Sequence, residues 1–253
     1  MSARLRYLLL GALLVPAAVL VKRAGADTAS PAGKSPVVVE LFSSEGCSSC
    51  PSAEEFVRDF AARWPSDAPP LLTLEYHVDY WNYLGWTDPF SHHEYTERQE
   101  AYSHAFGDDR IYTPEIVVQG KTAVPSRSAS ALTAELRRES SGPLAHVTVA
   151  VDGSNVGVHV DHAPSNGGAI MDVVLAVTES NLRSEVRAGE NRGETLAHAP
   201  VVRRLTTLGV LENGAFDVRA HVDLAPSWKR ENLRFVAFVQ ERGSRHIVGA
   251  GYR

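Results

Sequence analysis

Hydrophobic and polar positions follow two different rhythms along this chain. Val37-Val38-Val39-Glu40-Leu41-Phe42 is β-branched, apolar and of strand length, and Leu71-Leu72-Thr73-Leu74-Glu75-Tyr76-His77-Val78 repeats that character. Between them, Ser52 to Phe60 has helical spacing, and Pro51 suits the first turn of that helix. Glu94 to Phe106 brings Tyr95, Tyr102 and Phe106 to related faces and predicts a second helix. Ile111 to Gly120 predicts a strand entered through an X-Pro bond and ended by a glycine turn. Strands alternating with helices favour a mostly parallel sheet. Since only about 5–6% of X-Pro bonds in folded proteins are cis, composition alone predicts a trans Thr113–Pro114 bond.

From Pro143 onward the rhythm changes to period two, with strands expected at Ala145 to Val151, Asn155 to Val160, Ala169 to Thr178, Ala215 to Leu224 and Leu233 to Glu241. Asp152-Gly153-Ser154-Asn155 and Glu212-Asn213-Gly214-Ala215 supply hairpin-type turns. Short strands punctuated in this way predict an antiparallel β-sandwich. The organisation expected is therefore an α/β domain over 37–142 followed by a β-rich domain over 143–253. Val186 to Leu208 is charged and glycine-punctuated; it reads as a loop with solvated charges, or as a rim that orients a partner.

Residues 1–26 read as an export signal: Arg4 and Arg6 begin it, Tyr7 to Val21 form its apolar core, and Ala24-Gly25-Ala26 offer a cleavage site. Lys22 and Arg23 beside that site leave an uncleaved anchor as the alternative, although the run is shorter than the roughly 20 residues that span a bilayer. Asp27 to Pro36 reads as a flexible lead-in. The expected address is periplasmic or secreted, with no stable membrane insertion beyond the signal. Removing the signal takes away four basic residues and no acids, so the net charge falls from −5 to about −9. With no basic stripe, nucleic acid is not an expected partner.

The chemistry concentrates in Cys47-Ser48-Ser49-Cys50-Pro51, which holds the chain's only two cysteines. A thiol at a helix N-terminus faces unpaired N–H groups and the positive end of the macrodipole, which favour thiolate; such sites lower a cysteine from about 8.5 to about 3.5–7.5. Cys47 is expected to be the exposed, acidic sulfur and Cys50 the resolving one, with Glu45 opposing the shift. A disulfide kept only as a staple is the plain alternative, but it would close a very small loop, and stabilisation grows with loop length. Zinc-finger chemistry lacks a second Cys-x-x-Cys and a His pair at finger spacing.

The strand, Cys-x-x-Cys, helix order together with Thr113-Pro114 resembles the thioredoxin superfamily. By that likeness Thr113 and Pro114 would sit beside Cys47 and present an edge to an extended substrate polypeptide. The chain resembles more closely the secreted bacterial proteins of the domain-of-unknown-function family numbered 1223. The matching stretches are Glu40 to Pro51, His77-Val78-Asp79-Tyr80-Trp81, Leu84-Gly85-Trp86, Arg98-Gln99, Tyr112-Thr113-Pro114, Gly189 to Leu196, His198 and Val201-Val202-Arg203. The resemblance implies a thioredoxin-like domain ahead of the sandwich-like one, and it casts Glu40 as the counterpart of the acid that thioredoxins bury near the resolving thiol.

The functional expectation is an exported thiol–disulfide oxidoreductase in which Cys47 and Cys50 react, Thr113 and Pro114 face them, and no cofactor is required. Its partners would be a protein or small-thiol disulfide and a redox partner such as a membrane-bound reductase or quinone-coupled oxidase. A rival from the binding class is a Cu(I) metallochaperone that uses Cys47, Cys50 and His77. A third is a structural scaffold with a vestigial site. His77 stands out among ten histidines because it ends a predicted parallel strand, where open α/β sheets gather ligands. Tyr80, Trp81, Tyr83, Trp86 and Phe90 form either a substrate-facing groove or a loop that pins itself down. No spacing argument sets the oligomeric state.

Overall fold

Val37–Ser43 is buried at all seven positions and forms β1, a strand with neighbours on both sides. The computed structural model describes residues 34–142, 144–164 and 167–253. The export signal expected at 1–26 and most of the lead-in expected at 27–36 lie outside the described residues. After β1 come α1 (Cys50–Ala62), β2 (Leu71–His77), α2 (His93–Phe106), β3 (Glu115–Val118), β4 (Thr122–Val124) and α3 (Ala129–Glu139). The remainder contributes β5 (His146–Asp152), β6 (Asn155–Asp161), β7 (Met171–Glu179), β8 (Arg183–Glu185), β9 (Thr195–Ala197), β10 (Val201–Val210), β11 (Phe216–His221), β12 (Leu233–Glu241) and β13 (Ile247–Tyr252).

The fold is mixed α/β and is built on one large sheet of order β13-β12-β7-β10-β2-β1-β3-β4. The expected boundary at 142/143 does not separate two sheets, because strands from both sides of it share this one. Only β1–β2 and the short β2–β10 contact are parallel among the described pairs, so the expected mostly parallel sheet is corrected to a mostly antiparallel one. Crossover through α1 makes β1 and β2 parallel; hairpins and long returns set the rest.

The period-two segments divide between two layers. β5, β6 and β11 form a separate three-stranded sheet, while β7, β10, β12 and β13 extend the large one. The turn at 212–215 forms, yet β10 and β11 on its two sides belong to different sheets. Val147, Val149, Val156 and Val158 of the small sheet share a core with Val173, Leu175, Val177, Phe235, Ala237 and Val239 of the large one. The alternate positions Val174, Ala176, Val236 and Phe238 face a second core with Tyr76, Tyr95 and Tyr102. Both faces of β7 and β12 are thus buried, which is why these segments read as near-continuous apolar runs. α1 and α3 pack through Val57, Leu132 and Leu136 against Val37, Val39, Leu41 and Ile116.

The strand β10 begins inside the stretch expected to be a charged loop and runs past its end, and α3 and β13 are elements that the hydrophobic pattern did not announce. Glu40 points away from the cysteine helix: its carboxylate accepts from Arg98 Nε (2.8 Å) and from the Tyr102 hydroxyl, on the α2 side. The Thr113–Pro114 bond is cis, which corrects the trans expectation drawn from composition. No helix among the described residues is long and apolar enough to cross a membrane.

Candidate functional site

Cys47 and Cys50 are joined as a disulfide, with their Cα atoms 5.4 Å apart. Cys50 opens α1 and Cys47 lies in the turn before it, where the Cys47 N–H donates to Ser44 O (3.2 Å) and the Cys50 N–H to Cys47 O (3.2 Å). The helix N-terminus therefore acts most directly on Cys50. Cys47 is 1% exposed, a correction to the expected exposed sulfur.

Three segments hold the cysteine turn. Thr113, at the entry to β3, brings its carbonyl oxygen within 3.8 Å of Cys47 Sγ and accepts at its hydroxyl from Trp81 Nε1 (2.8 Å). Ser49 Oγ lies 3.3 Å from the same sulfur. The Gly189-Glu190-Asn191 segment reaches over from the C-terminal half: Asn191 Nδ2 donates to Glu45 O (2.8 Å) and Cys47 O (2.9 Å), and Glu190 Oε2 accepts from the Ser48 N–H (2.9 Å). A side chain at Gly46 would collide with Trp81, so that glycine permits close packing of loops, and Gly189 takes a left-handed φ of +76° that favours glycine. The charged 186–208 stretch is thus partly a clamp on the cysteine turn.

The aromatic loop after β2 pins itself to the site through its polar ends. Trp81 holds Thr113, and Trp86 Nε1 donates to Glu45 Oε2 (2.6 Å), whereas Tyr83 is 78% exposed.

Adjoining the cysteine turn is a buried polar cluster that spacing did not reveal. Ser43 and Glu45 come from β1 and its loop, Glu54 from α1, Glu75 and His77 from β2, Asp88 from the aromatic loop and His198 from the turn before β10. All seven are buried. His77 Nδ1 lies 2.7 Å from Asp88 Oδ2, and His77 Nε2 lies 3.1 Å from Glu75 Oε1. His198 Nδ1 lies 2.9 Å from Glu54 Oε2, and its Nε2 lies 3.2 Å from Glu45 Oε1. Asp88 also accepts from the Glu45 N–H (2.8 Å), and the Ser43 hydroxyl donates to Glu54 (2.5 Å). The two imidazole rings are 5.0 Å apart and each meets Phe90 edge-on.

These groups set one another's protonation. Burial, then the Glu54 charge, pushes Glu75 up to about 7. Burial opposes charge on His198, but its hydrogen bonds to Glu45 and Glu54 prevail and raise it to about 9. Burial likewise opposes charge on His77, and Asp88 and Glu75 outweigh it, so His77 rises well above its ordinary value. Despite burial, Glu54 is held low by His198 and Asp88 by His77.

Of the residues expected at the site, the fold brings Cys47, Cys50 and Thr113 together and keeps Pro114 next to Thr113. The donor group around His77 comprises Glu54, Glu75 and His198, and neither cysteine. Glu75 and His77 share one face of β2 by alternation, and Glu54 follows Cys50 by one helical turn, so three of the four donors had a local signal. His198 and Asn191 had none. A surface cavity of about 780 Å³ lies elsewhere, along the outer faces of α1 and α3 with Phe56, Phe60 and Trp64.

A family model described as "Protein of unknown function (DUF1223)" matches residues 38–240. The chain belongs to that family. Among solved structures, this DUF1223 chain is similar to protein AGR_C_4864 from Agrobacterium tumefaciens, at 30% identity and TM-score 0.67, covering 85% of this chain and 92% of that one. It is also similar in fold to HBP35 of Porphyromonas gingivalis, at 16% identity and TM-score 0.66, covering 87% of this chain and 75% of that one. No curated protein matches.

Proposed function

We propose that this DUF1223 protein is an exported thiol–disulfide oxidoreductase whose redox couple is Cys47–Cys50. The observation that carries this reading is the joined Cys-x-x-Cys at the start of α1, with Thr113 O 3.8 Å from Cys47 Sγ at the entry to β3. Supporting it, the order β1-α1-β2-α2-β3-β4-α3, with β1 parallel to β2 and antiparallel to β3, is that of a thioredoxin-like unit.

In the oxidised form a substrate thiolate attacks Cys47 Sγ, the Cys47–Cys50 bond breaks, and Cys50 leaves as a thiolate facing the helix N-terminus. A second substrate thiol then displaces Cys47. The substrate gains a disulfide, and the protein takes up two electrons, which a redox partner removes. The same steps in reverse reduce a substrate disulfide. Because Cys47 is buried, attack requires the cysteine turn, tied down by Asn191 and flanked at its sulfur by Thr113 and Ser49, to open.

The test is a titration of the couple in graded glutathione buffers, with thiols trapped by alkylation and counted by mass. A reversible two-electron transition between about −120 and −270 mV supports a working catalyst, and a potential below roughly −300 mV marks an inert structural bond and overturns the proposal.

A further inference from the structure

We propose that Glu54, Glu75, His77 and His198 bind one divalent first-row transition-metal ion, zinc being the ion to test first, at a sulfur-free site adjoining the disulfide turn. One ligating atom from each of the four lies within 4.8 Å of all the others. A tetrahedral zinc site with bonds of about 2.0–2.2 Å spaces its ligands roughly 3.4 Å apart, so closure on an ion needs only a modest contraction.

The outer partners carry the inference further than the donor count does. Each histidine turns one nitrogen to a group outside the four: His77 Nδ1 hydrogen-bonds Asp88 (2.7 Å), and His198 Nε2 hydrogen-bonds Ser184 Oγ (3.3 Å) with Glu45 Oε1 3.2 Å away but out of alignment. That leaves His77 Nε2 and His198 Nδ1 facing inward. An outer partner behind each imidazole fixes the ligating tautomer, and the carboxylate behind His77 also strengthens that donor. The outer acids are themselves held: Asp88 accepts from the Phe90 N–H (2.9 Å) and Glu45 from Trp86 Nε1 (2.6 Å).

The inner face is short of partners. Glu75 Oε1 and Oε2 and His77 Nε2 are buried without a hydrogen bond, His77 Nε2 lying 3.1 Å from Glu75 Oε1 but out of alignment. Buried polar atoms in folded proteins are rarely left so. Four carboxylates, Glu45, Glu54, Glu75 and Asp88, are buried here around two imidazoles, and a divalent ion would supply the missing positive charge. Two imidazole nitrogens with two carboxylates suit zinc and its neighbours; calcium and magnesium prefer all-oxygen shells, and Cu(I) prefers sulfur.

The test uses chelator-stripped protein with the Cys47–Cys50 disulfide intact, so that no thiol is available as a ligand. Zinc or Co(II) is added, loosely held metal is removed by desalting, and metal per chain is measured. One equivalent of zinc is expected, with Co(II) giving visible ligand-field absorption and no thiolate charge-transfer band. Glu75→Gln, a neutral isostere, and His198→Gln should each weaken binding at least a hundredfold, and Asp88→Asn by about 10–100-fold. Circular dichroism checks that each variant folds.

The exposed histidines around Asp161 serve as the control, His146 Nδ1 and His162 Nδ1 lying 3.1 and 2.7 Å from its carboxylate; His146→Ala with His162→Ala should change nothing. Absence of binding by the unaltered protein, full binding by folded Glu75→Gln and His198→Gln, or loss of the ion in the surface variant would each overturn the proposal. The redox titration is independent of all three, so the two proposals fail separately.

Discussion

Asn191→Ala tests whether the Gly189–Asn191 segment gates the disulfide. Asn191 is 7% exposed and spends both amide hydrogens on the cysteine turn, at 2.8 Å to Glu45 O and 2.9 Å to Cys47 O. A neutral hydrogen bond contributes about 1 kcal/mol net, so removing two weakens closure by about 2 kcal/mol. The Cys47 carbonyl keeps a second donor in the Cys50 N–H, which holds the estimate to that size. If reduction proceeds only from an open form, and each 1.4 kcal/mol is tenfold, the open population rises about 25-fold. The assay is the pseudo-first-order rate of disulfide reduction by dithiothreitol, followed by acid quench, alkylation and mass, alongside a denaturant melt of the oxidised protein. The expected result is reduction roughly 25-fold faster with a stability loss near 2 kcal/mol. A rate within twofold of the parent protein, in a variant that has lost that stability, would refute the gate and leave Asn191 as a purely structural tie.

Three further outcomes follow from other parts of the fold. Arg98→Met should lower the unfolding free energy by about 3–5 kcal/mol in a denaturant melt, because it strands the fully buried Glu40 carboxylate that Arg98 Nε meets at 2.8 Å. Gly251→Ala should cost about 1–3 kcal/mol or more by the same measurement, since its Cβ would collide with the Val147 carbonyl where β13 passes under β5. Glu115, next to Pro114, is raised above its ordinary 4.5 chiefly by burial, which its hydrogen bond from Gln99 only partly offsets. Its contribution is therefore fully present below 4.5 and is lost as pH climbs through the raised value. Melting temperatures from pH 4 to 8 should fall less steeply in Glu115→Gln than in the parent, and parallel curves would remove Glu115 from the account.

Local pattern was enough where neighbours in sequence are neighbours in space. β1, α1, β2 and the cysteine turn between them could be read because a β-branched run, a proline in the first turn and a Cys-x-x-Cys are all short-range signals. The strands from β5 to β7 and β12 were legible for the same reason, through alternation and hairpin turns. What alternation cannot carry is the choice of sheet: a two-residue period says that a strand has two faces, and β7, β10, β12 and β13 joined the N-terminal sheet because its exposed edge at β2 and both faces of β7 and β12 could be buried there together. The polar cluster shows the same limit. Glu54, Glu75 and His77 are ordinary residues of a helix and a strand until His198 arrives from more than a hundred positions away and Asp88 folds back from the aromatic loop. The sequence by itself determined where the cysteine pair sits and that β1, α1, β2, α2 and the alternating strands form, since those depend on local spacing. Only the tertiary structure decided that the pair is buried in a turn tied by Asn191 and adjoins four buried carboxylates and two imidazoles, since burial and charge pairing are set by segments that meet only when the chain is folded.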